Sequence, residues 1–438
     1  MMEWWAILSG SLILLLAAFL SGVPMFIGFL VINIATVLTI VGPRGFILVS
    51  NSIFDSVNIG ALSAIPLFIL MGEILTRSGS VENLFRAMDG LIGKVRGRQY
   101  VLTILVSVIF GALSGAAMAV AAMLGRSLFP TMMARNYDLK LSIGAIMAGA
   151  SLAPIIPPSV LIVIVATLAD VSIGKLLISG VGPGLVAAVL FLGYIGFRVM
   201  RNPALSPDAD IAEDAKGWGG KLRSVILMLP FSIIVFSVMG LILLGIATPS
   251  EAAATGVLGS IVVSMVYRSF SIKMLLEALE NAVFITAMIM AIVFSSNLFG
   301  QLLAFTGATR HLVELGEVFA GQPYMVLAVL LGIVFIMCMF IDQIALMLIL
   351  VPIYQPLVQS TGFDPIWFWL LVLLNLTVGG MTPPFGYTMF AFKATAPQVS
   401  LSDVYKASWP FVGLFILLMV LVAIFPPIAT WLPSLMNG

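Results

Sequence analysis

Apolar runs of membrane-spanning length follow one another along most of the chain, separated by short polar stretches. Spans are expected at Trp4–Val23, Pro24–Val41, Ala61–Thr76, Leu141–Leu168, Ile173–Met200, Ser224–Ala247, Ala252–Tyr267, Asn281–Phe305, Ile366–Phe392 and Trp409–Trp431. Two of them cannot be regular helices. Leu141–Leu168 contains Gly149-Ala-Ser-Leu-Ala-Pro-Ile-Ile-Pro-Pro-Ser159, and its prolines remove backbone donors and clash with the preceding turn. Ile366–Phe392 is broken the same way by Gly379-Gly-Met-Thr-Pro-Pro-Phe-Gly386. Broken backbone at membrane depth is tolerated only where it is buried in protein or lines a cavity. Two such breaks at matching places in two halves point to a transporter binding site.

Two further apolar segments, 100–130 and 324–356, are interrupted by Gly111-Ala-Leu-Ser-Gly-Ala-Ala117 and by Ile341-Asp-Gln343. Each could be one span or a re-entrant hairpin of two short arms. Charge decides. With both as hairpins and the N-terminus outside, all of the 20 Lys and Arg residues except Arg44, Lys175 and Arg310 fall on the cytoplasmic side. As full spans, they would divide the basic residues almost evenly. The hairpins therefore define an inverted repeat of two five-span halves, 1–200 and 224–438, each with one hairpin and one Pro-Pro-broken span. A cytoplasmic linker, 201–223, joins them. Ser80–Lys94 and Ser271–Glu280 are expected to be amphipathic surface helices capped by Ser80 and Ser271.

Composition agrees: 61% hydrophobic and 9% charged residues define an all-α polytopic membrane protein. A net charge of +1 gives no reason to expect a nucleic-acid partner. One cysteine, Cys338, excludes a disulfide framework, and one histidine, His311, argues against a histidine-built metal site. The Met1-Met-Glu-Trp-Trp start lacks a basic region and reads as a first span, not a cleaved signal.

Asp342 is the one carboxylate deep in an apolar run, where it costs about 2.5–3.5 kcal/mol and needs a cation, a proton or a polar partner. A protonated acid or a helix cap remains an alternative. Ser114-Gly115 is its counterpart at the other tip, with small-residue packing of Gly111 against Gly115 as the alternative. Hairpin tips facing broken helices make compact oxygen cages suited to a hard cation. Glu73 is accounted for by pairing with Arg77 or by an interfacial position, and Asn297 and Gln301 by helix-to-helix stitching, with solute contact as the alternative.

The Gly-Ala-Leu-Ser-Gly segment at 111–115, Ala153-Pro-Ile-Ile-Pro-Pro-Ser159, Asp342 near Val351-Pro352-Ile353, and Gly380-Met-Thr-Pro-Pro-Phe-Gly386 resemble the large membrane subunit of tripartite ATP-independent periplasmic (TRAP) transporters along essentially the whole chain. The resemblance implies an elevator-type secondary transporter in the bacterial inner membrane, driven by sodium, taking up an organic acid delivered by a periplasmic substrate-binding protein. It also implies a small four-helix membrane subunit, expected on a separate chain because the first span begins at residue four. Both termini are expected in the periplasm. No cofactor is implied beyond sodium as coupling ion. Sodium site 1 would use Ser114, Gly115, Ser151 and Pro154; site 2 would use Asp342, Gly379, Gly380 and Thr382. Pro157, Pro158, Ser159, Met381, Pro383 and Pro384 at the breaks are the candidate substrate contacts. The tip in this family is often richer in hydroxyls than Ser114-Gly-Ala-Ala117, which shifts site 1 toward backbone oxygens. A proton-coupled carrier of the same fold, working without a binding protein, is the alternative, since Asp342 could titrate. A membrane-embedded enzyme fits less well without an intramembrane His or Lys, and a channel lacks its continuous polar lining.

Overall fold

The computed structural model describes residues 4–207, 217–317 and 322–436, and every regular element among them is helical. The first half begins with α1 (Trp4–Leu20), α2 (Met25–Val41), α3 (Phe46–Val57), α4 (Ala64–Arg77) and the surface helix α5 (Ser80–Leu91). The first hairpin follows as α6 (Arg98–Ser114) and α7 (Ala117–Ser127), with α8 (Phe129–Ala134) continuing the second arm. The first broken span is α9 (Leu139–Ala150) and α10 (Val160–Leu168), and α11 (Ile173–Ser179) and α12 (Val181–Arg201) end that half. The second half runs α13 (Trp218–Leu243), α14 (Pro249–Val266), α15 (Ile272–Phe305) and α16 (Ala308–Glu317). Its hairpin is α17 (Pro323–Met337) with α18 (Gln343–Thr361), its broken span α19 (Pro365–Gly379) with α20 (Tyr387–Thr395), and α21 (Leu401–Ile424) and α22 (Pro427–Ser434) close it.

Several boundaries differ from the sequence expectation. Helix α3 lies in what was expected to be a loop; Gly42, at φ +74°, turns the chain out of α2 and a short 3-10 turn leads into it. Ser271 does cap its helix, accepting from Met274 N–H at 3.1 Å. However, the expected surface helix runs without interruption into the next span as the 34-residue α15, because no Gly or Pro occurs before Gly300 to stop it. The span at 173–200 is split at Gly180, where a Cβ would collide with the Ile155 carbonyl of the first break. The last span ends at Ile424, before Pro426 and Pro427. Helix α13 starts at Trp218, inside the expected linker, and residues 208–216 lie outside the described residues.

By length and composition, eight segments among the described residues are apolar and long enough to cross a membrane. They include the second hairpin arms, Ala117–Ala134 and Gln343–Thr361, whereas the first arms, Arg98–Ser114 and Pro323–Met337, are shorter. Length alone therefore does not distinguish a hairpin from a span. Burial is more informative. Every residue of Leu141–Ala150 and of Trp367–Gly379 is buried, so the halves leading into both breaks lie in the middle of the protein. Lipid never reaches that backbone, and irregular structure can persist there. By contrast, α13 turns Leu222, Ile233 and Phe236 outward as an exposed apolar face.

The two halves exchange partners. Helix α7 of the first hairpin packs on α20, while α18 of the second packs on α10. Likewise α9 packs on α21 and α19 on α11. Matching caps start the paired elements: Asp138 accepts from Leu141 N–H at 2.8 Å and Asp364 from Trp367 N–H at 2.9 Å. Ser172 and Ser400 do the same for Lys175 and Asp403, at 3.3 and 3.1 Å. Both Pro-Pro peptide bonds, 157–158 and 383–384, are cis. A second group of helices, α4, α5, α13 and α14, packs mainly on itself and on α15, which also packs on α2, α3 and α18.

Candidate functional site at the hairpin tips

The two tips meet at one cavity of about 270 Å³. One wall is Ser114–Ala119 from the first tip, with Val160, Leu161 and Ile164 behind it. Asp342, Gln343 and Ile344 come from the second tip, joined by Tyr387 at the start of α20. The facing wall belongs to the other helix group: Ile69, Gly72, Glu73 and Thr76 of α4, and Ile285 and Ile289 of α15.

Each tip is pinned to the break of its own half. Gly115 occupies the left-handed region at φ +61°, which lets α6 turn into α7, and it approaches Val160 N and the Pro158 carbonyl. A Cβ on Gly111 would stand 2.9 Å from Ala153 Cα, so small residues are required for the arm to lie on the break. In the second half, Phe385 N–H donates to Met339 O at 3.2 Å, and Asn375 Nδ2 donates to Leu331 O at 2.6 Å. Tyr387 O–H reaches back to Gln343 Oε1 at 2.5 Å, linking break to tip.

Asp342 is half-buried and is the N-cap of α18, its Oδ2 accepting from Ile344 N–H at 2.9 Å. A carboxylate has four acceptor sites, so this bond leaves room for a cation. The charged residues lining the cavity are Asp342 and Glu73, both acidic, and Glu73 already pairs with Arg77 at 2.8 Å. Ser114 Oγ is buried without a hydrogen-bond partner.

Of the residues expected to bind sodium, Ser114, Gly115 and Asp342 thus line the shared cavity. Ser151, Pro154, Gly379, Gly380 and Thr382 are not in its lining, and each is engaged within its own break. Ser151 Oγ donates to Ala148 O and Pro154 O accepts from Ser159 Oγ, both at 2.7 Å. Thr382 Oγ1 donates to Val378 O at 2.6 Å, Thr382 N–H to Gly379 O at 3.1 Å, and Thr388 N–H to Gly380 O at 3.1 Å. None of the expected substrate contacts Pro157, Pro158, Ser159, Met381, Pro383 and Pro384 is in the cavity lining; of these, Pro158 and Ser159 lie against Gly115 of the first tip.

The model of the DctM component of tripartite ATP-independent periplasmic transporters matches residues 12–428. The chain belongs to this family. It is similar to the ectoine TRAP transporter large permease TeaC of Halomonas elongata, 32% identical over 86% of both chains. It is also similar to the ectoine/5-hydroxyectoine permease UehC of Ruegeria pomeroyi, 30% identical over 97% of both, and to the C4-dicarboxylate permease DctM of Pseudomonas aeruginosa, 28% identical over 87% of this chain and 88% of the relative. The crystal structure of the YdaH transporter of Alcanivorax borkumensis matches with a TM-score of 0.63 at 14% identity, over 92% of this chain and 99% of that one, a likeness of fold.

As a TRAP large subunit the chain is a multi-pass transporter protein, and its cavity includes residues that sequence reasoning passed over. Pairing with Arg77 or an interfacial position accounts for Glu73 in the sequence, yet it also faces the tips. Gly72 lets α4 approach so closely that a Cβ would stand 3.0 Å from Leu113 O. Tyr387 carried one signal, a polar aromatic directly after the Pro-Pro-Phe-Gly break. Asn297 does stitch helices, donating to Ser56 Oγ at 2.9 Å.

Proposed function

We propose that this TRAP subunit carries a carboxylate-bearing solute across the bacterial inner membrane together with sodium, by an elevator movement. The solute is received from a periplasmic binding protein. The hairpins and broken spans form the moving unit, and α4, α13, α14 and α15 belong to the fixed scaffold that docks the small membrane subunit. The inverted repeat is supported by the partner exchange between halves and by the paired Asp138/Asp364 and Ser172/Ser400 caps, and the placement of both termini in the periplasm by the basic residues, all but three of which then face the cytoplasm.

One observation carries the reading: both tips open on a single cavity whose opposite wall comes from α4 and α15, and whose lining charges are acidic. A carboxylate solute entering such a site needs a positive centre, and no lysine or arginine of the lining provides one. Sodium held between Asp342 and the tip backbone is that centre: its charge is balanced by the aspartate, but the ion keeps an open coordination position for a solute oxygen, which a proton on Asp342 would not. A proton would neutralise Asp342 but leave nothing to attract the solute, which favours sodium over the proton-coupled alternative. The relatives named for ectoine and for C4-dicarboxylates agree with a small carboxylate as the transported class.

The test is uptake into proteoliposomes that contain the chain with its small subunit, supplied with the binding protein of the same system, at fixed pH with and without a sodium gradient. Uptake is expected only with sodium and binding protein together. Equal uptake driven by a pH gradient without sodium, or full uptake of free solute by this chain alone, would overturn the proposal.

A further inference from the structure

A second cavity, of about 410 Å³, lies between the surface helix α5 and the far end of the first hairpin. Its walls include Arg86 and Asp89 from α5, Gln99 and Leu102 from α6, Thr131 from α8, and Arg135 beyond it. The charges do not cancel. Asp89 pairs with the buried Arg98 at 2.9 Å, while Arg86, from α5, and Arg135, beyond α8, line the cavity and remain exposed. The Arg86 guanidinium also donates to Asn83 Oδ1, a neutral acceptor that leaves its charge unspent. Gln99 is 3% exposed, and its Oε1 has no hydrogen-bond partner. A buried amide oxygen without a donor costs free energy, so the occupant should bring an O–H or N–H to it. Phe85, Leu102 and Leu128 supply the apolar part of the surface, beside Ser127.

We propose that this cavity binds the headgroup of an anionic phospholipid that carries a free hydroxyl, as phosphatidylglycerol does. The phosphate sits between Arg86 and Arg135, a headgroup hydroxyl donates to Gln99 Oε1, and the glycerol backbone and upper acyl chain lie along Phe85 and Leu102. The phosphate then bridges the surface helix to the second hairpin arm. Its assignment to the inner leaflet rests on the topology proposed above; the binding itself does not.

The experiment is native mass spectrometry of the purified complex of this chain and its small subunit, titrated with phosphatidylglycerol, phosphatidylcholine, phosphatidylmethanol and glycerol phosphate. It depends on neither sidedness nor transport, so its failure is distinct from failure of the sodium-uptake reading. Phosphatidylglycerol is expected to bind in preference to phosphatidylcholine, and the doubly substituted Arg86→Gln, Arg135→Gln protein to lose about 30-fold in that affinity. Both arginines are exposed, so the variant should fold. Phosphatidylmethanol, anionic but without the hydroxyl, is expected to bind several-fold more weakly than phosphatidylglycerol. Unchanged affinity in the variant, or phosphatidylcholine binding as well as phosphatidylglycerol, would overturn the site. Displacement of phosphatidylglycerol by equimolar glycerol phosphate would reassign the pocket to a soluble phosphate and overturn the lipid. Equal binding of phosphatidylmethanol would remove Gln99 from the recognition.

Discussion

Replacing Asp342 by asparagine separates two jobs held by one side chain. The first is to cap α18 through the bond from Ile344 N–H at 2.9 Å. Asparagine caps about as well as aspartate, so Asp342→Asn should insert and fold normally. The second is to hold negative charge at a cavity whose lining has no basic residue. A unit charge pair at 4 Å is worth about 4 kcal/mol at an effective dielectric of 20, and roughly half of that is offset by stripping water from the ion. The remaining ~2 kcal/mol corresponds to about a 30-fold rise in the sodium concentration needed for half-maximal uptake. Initial uptake rates against sodium, at fixed pH and saturating solute-loaded binding protein, measure that shift directly. Asp342→Ala should be worse, because it loses the cap as well. A sodium dependence in Asp342→Asn that matches the parent protein would mean that the carboxylate is a cap and nothing more.

Other outcomes follow from the same geometry. Gly72→Ala places a methyl 3.0 Å from Leu113 O, between α4 and the first tip, and should slow uptake through overpacking of about 1–3 kcal/mol while leaving expression intact; normal uptake rates would disprove the close approach. Asp138→Ala and Asp364→Ala each remove a cap at the start of a broken span, and each should cost about 1 kcal/mol, read as similar falls in the thermal midpoint of the purified protein. A large effect at one and none at the other would contradict their equivalence. Cysteines placed at the exposed positions Ala134 and Gln322 should react with impermeant reagent from the cytoplasmic and periplasmic sides respectively, against a background kept low by the buried Cys338. Reaction of the Ala134 cysteine from outside would destroy the hairpin topology.

What could be read in the sequence was whatever the bilayer enforces locally. A run such as Leu141–Leu168 cannot hide three prolines, so both breaks were visible as violations of helix chemistry within apolar segments. Asp342 stood out because charge is costly at depth, Ser271 announced a cap, and the small-residue interruption at Gly111–Ala117 announced a tip, where Gly115 makes the turn. The positive charges set the expected sidedness of segments whose length is ambiguous, as Ala117–Ala134 and Gln343–Thr361 illustrate.

What the sequence could not give was the partner of each surface. In an apolar helix, a side facing lipid and a side facing protein have the same composition, so nothing marked Leu141–Ala150 and Trp367–Gly379 as wholly buried, or α13 as half exposed. Glu73 looked spent on Arg77, four residues away, because a local ion pair is legible and a facing hairpin tip forty residues on is not. The candidate ion ligands divided for a related reason. A carbonyl at a break is an available acceptor only until the fold closes it, and Thr388, Thr382 and Ser159 close those of Gly380, Gly379 and Pro154. The chain alone determined that two breaks and two tips exist. Only their packing decided that the tips share one acidic cavity with α4 and α15, because that depends on long-range contacts between surfaces that look alike in one dimension.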